Sequence, residues 1–144
     1  MNRGVILVML VALSATAFAD GEAEYKYREG IMNSAKGHMT SMVAILRGRV
    51  HFENLAIHAR GMADVSSIMP TVFPEGSVTD TSESLPEIWS DAAGFEKAMN
   101  RFVKAANQMY EASASGEMSQ VGPAMQALGQ SCKGCHDDYR APHD

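Results

Sequence analysis

Cysteine and tryptophan are scarce in this 144-residue chain, with two of the first and one of the second. Two cysteines permit at most one internal disulfide, so a disulfide-stapled scaffold is ruled out. Basic charge is in deficit: twelve lysines and arginines face seventeen acidic residues, for a net charge of −5. That balance argues against nucleic acid, which selects basic faces, and against a polybasic membrane anchor. β-Branched residues alternating at period two are missing after residue 20, which argues against an all-β fold. Beyond the N-terminus no segment is apolar enough to cross a bilayer. Methionine, by contrast, is plentiful at eleven residues; it favours helix and fills irregular cores. The length fits one domain.

The N-terminus reads as a secretory signal. Arg3 supplies a positive start, residues 5–13 are continuously apolar, and Ala17-Phe18-Ala19 is a small-x-small cleavage pattern. The apolar run is shorter than the roughly 20 residues a span requires. Cleavage is expected after Ala19, leaving 20–144 as a single domain without a membrane anchor. It removes Arg3 and no acidic residue, so the net charge moves from −5 to −6. A bacterial periplasm is the expected destination.

Four segments carry apolar residues at helical spacing. The first, 22–48, aligns Met32, Ala35, Met39, Met42 and Leu46. The second, 51–69, aligns Phe52, Leu55, Ala59, Met62 and Met69, and ends at Pro70. The third, 86–114, aligns Ile88, Ala92, Phe95, Met99, Phe102, Ala106 and Met109, with Pro86 in a tolerated first-turn position. The fourth, 118–140, aligns Val121, Met125, Leu128, Cys132, Cys135 and Tyr139, while Gly122-Pro123 leaves its first turn open to a later start or a bend. Residues 70–85, rich in Pro, Gly, Ser and Thr, form the one long connection. The other connections are short, which makes neighbouring helices antiparallel. The expected fold is all-α: an antiparallel four-helix bundle.

Chemistry concentrates in Cys132-Lys133-Gly134-Cys135-His136. Cys-x-x-Cys-His is the pattern of covalent c-type haem attachment. On a helix, positions i, i+3 and i+4 share a face. Both thiols can therefore reach one macrocycle, and His136 can serve as the axial ligand of its iron. Three other readings compete. Zinc needs about four ligands, and only His38, His51, His58 and His143 remain, with no second cysteine pair. A redox dithiol belongs between a strand and a helix start, and a disulfide three apart on a regular helix has poor geometry. The remaining histidines show no ligand spacing and read as surface residues or supporting neighbours of the site.

The run 131–140, SCKGCHDDYR, close to the C-terminus of a chain with four helical seams, resembles the end of the cytochrome c-prime family, the class II cytochromes c. Arg28 followed by Met32 and Met39, Pro86-Glu87-Ile88-Trp89, and Ser115-Gly116-Glu117 extend the resemblance over nearly all of 22–140. The resemblance implies an exported bundle with one covalent haem c, and its iron, on the last helix. It places Arg140 beside the proximal imidazole of His136 and Arg28 near the haem propionates. The residue-level alternatives are a solvated C-terminal arginine and a surface charge. The family often dimerises through its first two helices, and Val43 and Ile45 are candidates for such a homodimer contact; redox proteins are the other expected partners.

No general base, nucleophile pair or phosphate loop stands out, so an enzyme is not expected. Two functions remain. Met32, on the apolar seam and four after Arg28, is the expected sixth iron ligand, as in the family's low-spin, methionine-ligated members; the protein is then a one-electron carrier. Met39 is a rival ligand, and core filling is the alternative reading of Met32. In the alternative the iron is five-coordinate and high-spin and binds nitric oxide or carbon monoxide.

Overall fold

The computed structural model describes residues 21–142. The expected signal segment, with Asp20, His143 and Asp144, lies outside the described residues. The bundle is built from α1 (Gly21–Gly48), α2 (Leu55–Ile68), α4 (Ala92–Ala114) and α5 (Met118–Tyr139), with α3 (Glu87–Ser90) a single turn before α4. Among the described residues no helix is long and apolar enough to cross a membrane.

The second and third expected seams supply most of the core, with Met42 from the first and Val121, Leu128 and Tyr139 from the fourth. Met42, Met62, Met109 and Leu128 have almost no solvent contact, and Ile45, Leu55, Ala59, Met69, Met99, Phe102, Ala106 and Val121 join them. Flexible, unbranched methionine fills the irregular space between four helices. Phe95 links the aromatic end of the core, packing edge-on against Phe73 at 5.0 Å and against Tyr139 at 5.2 Å.

Three expectations are corrected. The third helix is not continuous over 86–114: Asp91 leaves helical geometry (φ −115°, ψ 55°), and its side chain accepts a hydrogen bond from the Gly94 N–H at 3.2 Å. A short carboxylate that caps the following helix breaks the preceding one. The break leaves Ala92 exposed and starts the buried stripe at Phe95. The second helix is flanked by tight turns, Phe52–Asn54 and Met69–Thr71, so Phe52 is exposed rather than on the seam. Ile45 is buried against the core and is no candidate for an intersubunit contact. As for Pro123, α5 starts before it, at Met118, and carries it inside the helix.

The long connection is pinned to the rest of the chain. Ser77 has no exposure at all, and the Trp89 indole N–H donates to the Phe73 carbonyl at 3.1 Å. The backbone N–H groups of Leu85 and Ala141 donate to the carbonyls of Tyr139 and Glu83, so the loop's end is tied to the end of α5.

Candidate haem-attachment site

Cys132, Cys135 and His136 lie in the last two turns of α5, as the spacing requires. The two thiols are free, half-buried and packed against the core. Burial pushes the Cys132 thiol up, and burial with the neighbouring Cys132 pushes Cys135 up to about 11, Arg101 opposing weakly. Both therefore stay neutral thiols near pH 7. Reactive dithiols need the opposite shift, which weighs against redox exchange.

The helix packing suits a flat apolar group. Direct packing runs from α1 to α2, from α2 to α4 and from α4 to α5, with nothing comparable between α1 and α5. Met32, Ala35 and Met39 of α1, and Met125, Cys132 and Cys135 of α5, all pack on the core yet remain only half-buried. An apolar macrocycle held by the two sulfurs would complete that burial, worth about 25 cal/mol per Å² of apolar surface removed from water. A haem held there would supply an iron able to accept an electron or a further ligand, with His136 as the candidate protein ligand.

The two arginines stand differently from expectation. Helix α5 ends at Tyr139, and Arg140 is extended (φ −127°, ψ 137°), bridging Ser84. It therefore does not share a helical face with His136; its backbone N–H donates to the His136 carbonyl at 3.3 Å. Nor is it a solvated arginine, because its Nε is buried without a hydrogen-bond partner. A buried donor left unpaired costs about 1–3 kcal/mol, so an acceptor brought by a cofactor near the end of α5 fits this position. Arg28 is buried rather than a surface charge. Its Nη1 donates to the Val72 carbonyl at 3.1 Å and to Ser77 Oγ at 2.8 Å. Its Nη2 donates to the Ser77 carbonyl at 2.8 Å and to Ser82 Oγ at 3.3 Å. Burial pulls its pKa down from the ordinary value. Its visible work is to hold the long loop onto α1.

Two features escaped the sequence reading. Ser77 sits in a polar stretch with no periodicity to mark it as buried. His38 and His58, twenty positions apart, face each other across α1 and α2 with their Nδ1 atoms 3.4 Å apart; only the helix pairing brings them together.

A sequence model described as Cytochrome C' matches residues 23–140. A cytochrome c' from Rhodospirillum rubrum is 30% identical, covering 98% of this chain and 99% of its own. Among solved structures, a nitric oxide complex of a variant cytochrome c prime from Alcaligenes xylosoxidans superposes with a TM-score of 0.80 at 26% identity, covering 88% of this chain and 99% of that one. A carbon monoxide-bound variant from the same organism gives a TM-score of 0.79 at 27% identity, over 87% and 99% of the two chains. The chain belongs to the cytochrome c' family, whose haem c, with its iron, is covalently bound.

Proposed function

We propose that this protein is an exported, periplasmic haem c protein that binds nitric oxide or carbon monoxide at the iron, with Cys132 and Cys135 as the covalent attachments and His136 as the one protein ligand. The observation that carries the reading is that two variants of one similar chain, matched over 99% of that chain's length, hold these two gases. It displaces the His/Met electron carrier as the leading interpretation. Met32 and Ala35 then line the α1 side of the gas site. Both are uncharged and carry no N–H or O–H donor, so gas affinity depends on packing rather than on a distal hydrogen bond. Function is binding rather than turnover.

A second reading keeps Met32 as the sixth ligand of a low-spin electron carrier. It is favoured by the placement of Met32, half-buried against the core on α1, one turn after Arg28. Redox proteins and a second copy of the chain are the proposed partners. Carbon monoxide titration of the reduced protein, followed by absorption, tests the leading reading. Saturable uptake of one gas molecule per haem supports it, and an inert spectrum favours the carrier.

A further inference from the structure

The His38–His58 pair lies outside everything the haem site uses. Both rings are half-buried and reachable from solvent. Their centroids are 5.6 Å apart with planes inclined at 60°, and the Nδ1 atoms are the facing edges, 3.4 Å apart. The approach is built into the backbone. His38 lies over Gly61, one turn after His58 on α2, where a Cβ would overlap the imidazole ring. Glycine at that position lets the ring press onto α2.

We propose that His38 and His58 form a second metal site, independent of the haem, in which the two Nδ1 atoms ligate one divalent, borderline-soft cation of the zinc type. Zinc–imidazole bonds of about 2.0–2.1 Å from two nitrogens 3.4 Å apart subtend about 110° at the ion, close to the tetrahedral angle. A modest swing of the half-buried rings turns both lone pairs toward the shared ion. Burial and the facing His58 hold the His38 pKa down, which keeps its imidazole neutral, the form that binds metal. Asp64 acts on His38 in the opposite sense and favours a cation nearby; its own carboxylate lies 3.7 Å from Arg60 Nε. No third protein ligand of the usual types completes a cluster among the described residues, so water fills the other positions.

The test is equilibrium dialysis of the haem-loaded protein against zinc chloride, with bound zinc measured by elemental mass spectrometry and the haem spectrum used to confirm folding. Wild type should take up one zinc at this site. His38→Gln and His58→Gln should each weaken uptake by about tenfold or more. Gly61→Ala keeps both histidines but displaces one ring, and should weaken uptake as well. His51→Gln, which removes the exposed His51–Glu53 pair, should leave the site unchanged. If Gly61→Ala does not accumulate, the two histidine variants decide alone. Absence of stoichiometric zinc on wild type, or uptake that follows His51 and ignores His38 and His58, overturns the proposal.

Discussion

Arg28 and Ser77, forty-nine positions apart, are joined by two hydrogen bonds of 2.8 Å: one guanidinium nitrogen donates to the serine hydroxyl and the other to its carbonyl. Both residues are buried. A rigid fork on α1 thereby fixes a loop that has little apolar surface of its own. Ser77→Ala should cost about 1.5–3 kcal/mol, the range for a hydrogen bond to a charged group. Arg28→Lys should cost as much or more, because an ammonium cannot reproduce the fork. Thermal unfolding of the haem-loaded protein measures both. A Ser77→Ala melting temperature equal to wild type would show that the serine hydroxyl adds nothing to the hold of Arg28 on the loop.

Covalent attachment predicts a specific mass. Protein recovered from the periplasm should weigh a chain beginning at Asp20 plus one haem. Cys132→Ser with Cys135→Ser should lack that mass and yield little folded protein. Replacing a large core side chain already costs about 2–5 kcal/mol, against a typical total stability of about 5–15 kcal/mol. A double variant with wild-type helicity and melting behaviour would contradict the haem's structural role.

The start of α4 is tied to the end of α5 by the Tyr139 hydroxyl, which donates to Asp91 at 3.1 Å. Gly94 makes room for this contact, since a Cβ there would overlap the Asp91 carboxylate and crowd the Tyr139 hydroxyl. Gly94→Ala should therefore destabilise by about 1–3 kcal/mol, despite alanine's better helix propensity. Chemical denaturation decides: a stabilised variant would show that the contact yields easily.

His38 makes stability pH-dependent with a definite sign. Its pKa is lowered in the folded chain by burial and by His58, with Asp64 opposing. The unfolded chain therefore binds the proton more readily. The contribution is complete above the ordinary histidine value of about 6.5 and is lost as pH falls below it toward the lowered one. In metal-free buffer the melting temperature should drop through that window, and His38→Gln should flatten the drop. An unchanged slope in the variant would assign the dependence to other groups.

Much of the bundle was legible in the sequence because helical periodicity is a local signal. The seam through Phe95, Met99, Phe102, Ala106 and Met109 is buried as spaced. The attachment motif was legible for the same reason, all three of its residues lying within two turns of one helix. What escaped left no mark in that spacing. Asp91 breaks a helix that its neighbours' spacing would continue, Arg140 leaves the helix to pair with Ser84, and Arg28 meets a loop serine far along the chain. Residues 30 or more apart carry no periodic trace of their meeting.

The most direct test is the absorption spectrum of the purified protein, ferric and ferrous, before and after carbon monoxide. A five-coordinate gas-binding haem predicts high-spin spectra and prompt, saturable conversion of the ferrous form by the gas, with Met32→Ala altering affinity but not spin state. A low-spin spectrum indifferent to carbon monoxide, turned high-spin and gas-binding by Met32→Ala, would contradict the account and make Met32 the sixth ligand of an electron carrier.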